Sequence, residues 1–244
     1  MKDDSKEKFL ETQKLFTRMS HEVVCLVVES YYIWRTLTFS RSTTEMGEEK
    51  ANKNAKSMNL YKEFFVCTEY SHYQTFVINL MKFFDKDKDA LSIKSLIKKI
   101  QKHKEAFTPE VLRSVYPHLE QIGAETESYL PIDQNTIDHF EQLCEKHKDL
   151  ISNLKNLRDK KLAHTDIKVI EGDQSTFIPN EVEELIVGIQ EMFNKLSKSF
   201  DKSFTTWDHL KEDSIRSTQF LFENLERGEI VRLEEIEKKW GNHE

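Results

Sequence analysis

Residues that interrupt helices are scarce in this chain. Its 244 residues include only 6 glycines and 4 prolines, and long intervals carry no turn signal, which disfavours a many-stranded fold. Cysteine is equally sparse: Cys25, Cys67 and Cys144 lie far apart, with no CxxC spacing and no even-numbered framework. That argues against a disulfide scaffold and a zinc site, leaving three small buried hydrophobes in a reducing compartment as the expectation. No apolar run is long enough for a bilayer, since the stretch from Val23 to Trp34 is interrupted by Glu29. The N-terminus MKDDSKEKF has mixed charge and no signal-peptide pattern, so a cytoplasmic, soluble protein with no membrane partner is expected.

A surplus of positive charge is missing too. The formal net charge is -7 and the pI near 5.8, which argues against a general nucleic-acid coat protein but permits a small basic site on an acidic body. What the chain has in plenty is helical periodicity. Apolar residues recur at helical spacing over 5–40, with Phe9, Phe16, Met19, Val27 and Leu37 among them, and again from Met58 to Phe84. The β-branched run at 23–28 reads as helix, because the period continues on both sides. The segment 40-SRSTTEMGEEK-50 reads as a connection. The aromatic richness of Tyr61 to Phe84 reads as bundle core or a dimer face rather than a base-stacking platform.

Ser92 and Thr108, the latter followed by Pro109, are N-cap candidates for a short inserted helical pair at about 90–125, with Pro117 ending or kinking the second helix. A third long helix runs from about Asp133 or Asn135 to near His164, with His147 on its apolar side as a hydrogen-bonded, partly buried residue. A fourth carries Val182, Leu185, Ile189, Phe193 and Leu196. The expected architecture is all-α: a four-helix bundle over 1–204 with the inserted pair, then a charged helical appendage over 205–244.

Charge inverts locally in 154-LKNLRDKKLAHTD-166. A histidine can move a proton in either direction near neutrality, and an arginine is a permanent fork for phosphate oxygens. Together they suit phosphodiester cleavage without a metal. On an ideal helix Arg158 and His164 are separated by about 600° of rotation and roughly 9 Å of rise, so about 120° in azimuth. Either the helix loosens before His164 or another element or chain supplies the opposite wall. His21, His72, His103, His118 and His139 have no partners at ligand spacing, so neither a metal nor a cofactor is expected.

The run Arg158-Asp159-Lys160-Lys161-Leu162-Ala163-His164 resembles the R-x(4 to 6)-H motif of the HEPN superfamily. Together with 84-FDKDKDALSIKSLI-97 after the second helix, it is similar to the U-type abortive-infection branch, over roughly residues 10 to 200. The resemblance implies a helical bundle and a metal-independent endoribonuclease that works as a homodimer in phage defence or as the toxin of a toxin–antitoxin pair. It implies Arg158 and His164 as the catalytic pair and Asp159 as a polar orienter. Asp166 stands where an antitoxin-regulated subset carries a modified tyrosine, which puts that mode of control in doubt. Lys155, Lys160 and Lys161 are candidate contacts to an RNA backbone, with solvated lysines as the bland reading. The rival functions are a non-catalytic RNA-binding module and an adaptor whose basic helix end only complements the macrodipole.

Overall fold

The computed structural model describes residues 2–86, 90–117, 133–159, 177–198, 200 and 205–240. Helix α1 (Lys2–Met19) runs through a six-residue π-helical segment (Ser20–Cys25) into α2 (Leu26–Phe39). The β-branched stretch is therefore helical, though wider than an α-turn. Ser42 caps a single turn, α3 (Thr43–Met46), and Gly47 at φ 77° joins it to α4 (Glu48–Leu60). Only glycine adopts that positive φ without a Cβ penalty. Part of the expected connection is thus helix, since Glu48 and Glu49 supply the acidic first turn that the dipole favours. The chain breaks at Tyr61 before α5 (Lys62–Phe83).

Capping fixes the next starts. The side chains of Ser92 and Ser95 each accept from the other's backbone N–H, at 3.3 and 3.2 Å, opening α6 (Ile93–Lys102). Thr108 accepts from the Val111 N–H at 3.3 Å and opens α7 (Pro109–Val115), which ends at Tyr116 because the residue before Pro117 is steered out of helical geometry. Asp133 accepts from the Thr136 N–H at 2.9 Å and opens α8 (Gln134–Lys146). The run expected as one helix to His164 breaks at His147, with φ -109° and ψ 22°, and resumes as α9 (Lys148–Leu157). Helices α10 (Pro179–Ser197) and α11 (Asp208–Trp240) complete the described chain. Among the described residues there is no strand, and no helix is long and apolar enough to cross a membrane.

The helices form two compact units. One comprises Met1–Val27 and Val77–Trp207. In it α1 packs on α6 and α7, and α8 packs on α10. Phe16 stacks on Phe193 and Phe200 with centroids 4.8 and 4.6 Å apart, and Phe9 meets Phe107 at 5.4 Å. Burial of these rings and of Leu96, Ile97, Leu185 and Ile189 supplies the apolar driving force. Asn194 of α10 is tied to Thr205, donating to its carbonyl at 3.0 Å and accepting its N–H at 2.9 Å.

The other unit comprises Val28–Phe76 and Asp208–Glu244. Leu37, Met58, Phe65 and Phe222 form its buried cluster, with Phe65 and Phe222 stacked at 5.4 Å. Lys53 bridges α4 to Glu226 of α11 at 3.0 Å. Aromatic exposure is mixed: Phe65 is buried, but Tyr61, Phe64 and Tyr70 face solvent. No disulfide joins the three cysteines, and where composition suggests burial Cys67 is exposed and Cys25 and Cys144 are half-buried.

Candidate active site: a carboxylate-held arginine in a cationic cleft

Arg158 is the C-cap of α9, its N–H bonded to the Leu154 and Lys155 carbonyls, and Arg158 and Asp159 continue in π-helical geometry. The helix loosens at the arginine itself. His164, Lys160 and Lys161 lie outside the described residues.

Two carboxylates hold the guanidinium. Its Nε donates to Asp159 Oδ1 at 2.7 Å and its Nη1 donates to Asp85 Oδ2 at 3.4 Å. The arginine side chain is 18% exposed, against 30% for Asp85 and 48% for Asp159. Asp85 follows the end of α5, and its own N–H bonds to the Lys82 carbonyl at 3.2 Å. The two sequence blocks singled out above, 73 residues apart, thus meet at one guanidinium.

Arg158 lines a cleft of about 720 Å³ bounded by the end of α5, by α6, and by α8 and α9. Among the described lining residues, six are cationic (Lys86, Lys94, Lys98, Lys148, Lys155 and Arg158) and three carry carboxylates (Asp85, Glu141 and Glu145). Helical spacing produces this. Lys94 and Lys98 are four apart on α6, and Lys148 and Lys155 are seven apart on α9, so each helix presents a row to the cleft. Lys148 bonds to Glu145 at 3.5 Å. Lys86, Lys94, Lys98 and Lys155 are exposed and form no ion pair among the described residues.

The cleft also has an aromatic wall. Phe84 and Phe140 are half-buried and stacked, with centroids 6.5 Å apart and planes at 12°. Behind them Phe83 is fully buried. Cys144 lines the cleft as well, and burial pushes its thiol up to about 11, with Lys94 and Lys86 pulling weakly the other way. A thiol so protonated at neutral pH is a poor nucleophile.

A second cleft of about 850 Å³ opens between α8 and α10. Its charged lining is Lys146 with Glu183, Glu184 and Glu191, and Lys146 bonds to Glu184 at 3.2 Å. His139 and His147 line it too. His147 is only 6% exposed, and its Nε2 has no hydrogen-bond partner among the described residues, unlike the bonded residue expected from sequence. Burial first, and then the Lys146 charge, lower its pKa. No group of three or more His, Cys, Asp or Glu among the described residues is arranged to hold a metal ion.

Sequence reasoning picked out Arg158, Asp159 and Lys155, which the fold brings to this site, and missed Asp85, Lys94, Lys98, Phe84 and Phe140. A usable signal existed, because Phe84, Asp85 and Lys94 belong to the block 84–97. No curated protein and no solved structure matches the chain. The model of the HEPN family AbiU2 matches residues 9–221, a span that holds both Asp85 and Arg158 and every wall of the cationic cleft. The chain belongs to the AbiU2 family of HEPN domains, an abortive-infection-related group.

Proposed function

We propose that the chain is a metal-independent endoribonuclease of phage defence, acting by abortive infection or as the toxin of a toxin–antitoxin pair in the cytoplasm. The carrying observation is Arg158, held by Asp85 and Asp159 on the wall of a cationic cleft. In the reaction, His164 takes the proton of a ribose 2′-hydroxyl, the 2′-oxygen bonds to the adjacent phosphorus, and the P–O5′ bond breaks. A protonated His164 gives its proton to the leaving 5′-oxygen, leaving a 2′,3′-cyclic phosphate and a 5′-hydroxyl. Arg158 neutralises charge on the phosphorane, and Asp159 orients its guanidinium. Lys155, Lys160 and Lys161 hold the flanking backbone.

One histidine per chain does not easily serve as base and acid at once. A homodimer that sets two copies of the motif across one groove supplies both. A regulatory antitoxin would act by covering that groove.

The test is a labelled RNA incubated with purified protein in excess chelator. Wild type should cleave and His164→Ala should not, a loss on the order of 100-fold or more. Equal activity in both proteins, or cleavage only with magnesium, sinks the proposal and favours a non-catalytic RNA-binding or adaptor module.

A further inference from the structure

We infer that the cleft walled by α6, α8 and α9 is the binding groove for a single-stranded RNA segment. An unpaired base stacks against Phe84 and Phe140, and the backbone runs along Lys94, Lys98 and Lys155 to Arg158. The inference rests on the ribonuclease reading for RNA as the ligand, and it adds where the strand lies and which form of RNA is taken.

Charge comes first. The chain as a whole is at -7, so it repels a polyanion at long range, and any RNA site must be a local exception. In this cleft cationic side chains outnumber carboxylates two to one among the described residues. Two of those carboxylates are already engaged, Asp85 by Arg158 and Glu145 by Lys148. Lys94, Lys98 and Lys155 keep their charge unpaired among the described residues, as a groove needs if it is to exchange counterions for phosphates. Four residues along α6 separate Lys94 from Lys98 by about 6 Å of rise, and seven along α9 separate Lys148 from Lys155 by about 10.5 Å. The two rows border the cleft on different helices, so an extended backbone is contacted from both sides.

The aromatic wall decides the form of RNA. A groove combining cationic side chains with exposed ring faces is the common device for single strands, because every unpaired base has a face to stack. In a duplex the bases are stacked on one another, and the deep, narrow major groove of A-form RNA keeps side chains out. Phe84 and Phe140 are half-buried at the cleft, whereas Phe83, which also borders it, is fully buried. Alternative chemistry in the cleft is weak: the Cys144 thiol stays protonated near neutrality.

The experiment measures fluorescence anisotropy of full-length His164→Ala protein with a 5′-labelled single-stranded RNA 12-mer and with the same label in a blunt duplex. The single strand should bind at least 10-fold tighter than the duplex. Lys94→Glu/Lys98→Glu should weaken single-strand binding at least 10-fold and lower its salt slope by about 1 to 1.5, from roughly 0.7 per phosphate contact. Lys238→Glu/Lys239→Glu, an equal charge change on exposed α11, should leave affinity within 2-fold. Phe84→Leu, which keeps an apolar side chain against Phe83, should weaken the single strand alone. Circular dichroism and thermal melts confirm that each variant is folded. Equal loss in both charge variants, or equal affinity for duplex and single strand, overturns the inference. So does wild type that cleaves RNA while Lys94→Glu/Lys98→Glu retains its KM, an outcome that leaves the ribonuclease reading standing. The converse, binding that depends on Lys94, Lys98 and Phe84 in a wild-type protein that never cleaves, supports the groove and refutes catalysis.

Discussion

Helix α8 has a cleft on each of two sides, and their linings are opposite in charge. The cleft on its α9 and α6 side is lined by lysines, a carboxylate-held arginine and a stacked phenylalanine pair to which α8 contributes Phe140. The cleft on its α10 side is lined by three glutamates of α10 and, from α8 and its cap, one ion-paired lysine and two histidines. The two clefts are of similar size, at about 850 and about 720 Å³. For a polyanion it is therefore charge, not size, that discriminates between them. The histidines teach the same point. Proton transfer near neutrality needs a group that exchanges with substrate, whereas His147 is enclosed, with its pKa lowered by burial.

The largest expected effect separates the two clefts outright. Arg158→Ala should cut RNA cleavage in chelator by on the order of 100-fold or more, while His147→Gln should leave it within a few-fold, both read as initial rates on one labelled RNA. Equal losses would dissolve the distinction. Next in size is Asp85→Asn, which keeps the shape but removes the charge that positions Arg158. Misplacement of a catalytic group is costly, so kcat should fall roughly 10-fold, with KM moving much less. Glu184→Lys makes the acidic cleft less acidic, and anisotropy should find RNA affinity changed less than 2-fold; a 10-fold gain would mean that strands also bind there.

Smaller still is a pH effect on stability. His147 titrates below its ordinary value of 6.5 when folded, so the unfolded chain takes up the proton first. The neutral histidine's contribution is intact above about 6.5, is lost as pH falls from there toward the folded value, and then levels off. Melting temperatures between pH 7.5 and 5 should decline more steeply in wild type than in His147→Gln. Gly188→Ala should do least. Its new Cβ meets only the flexible end of Leu143, and a helix-propensity gain of about 1 kcal/mol offsets the adjustment. A melt within 2–4 °C of wild type is expected, the shift that about 1 kcal/mol produces in a chain of this size.

Much of the fold is legible in the sequence because caps and periods are local. Ser92, Thr108 and Asp133 open helices where their hydroxyl or carboxylate chemistry says they should. The breaks at Tyr61 and His147 are not legible, since neither residue is a helix breaker and both runs keep their apolar period across the gap. Of the site, Arg158, Asp159 and Lys155 are visible because they share one short motif. Asp85, Lys98 and Phe140 join them only through tertiary packing, and a lysine on a helix face looks the same in sequence whether it borders a groove or open solvent. Cys67 shows the limit of composition, being exposed where a small hydrophobe is expected inside.

The bond between Asp85 and Arg158 has a consequence for recognising and transplanting such sites. A short arginine-to-histidine pattern carries little information, because basic helix ends often contain it by chance. The same pattern joined to an aspartate 73 residues earlier, at the foot of another helix, specifies a particular closure of the chain. The thirteen residues of 154–166 moved alone into another helix would bring the arginine without half of its cradle. The unit that can be inherited, searched for or grafted is the pair of segments together with the helices that bring them into register.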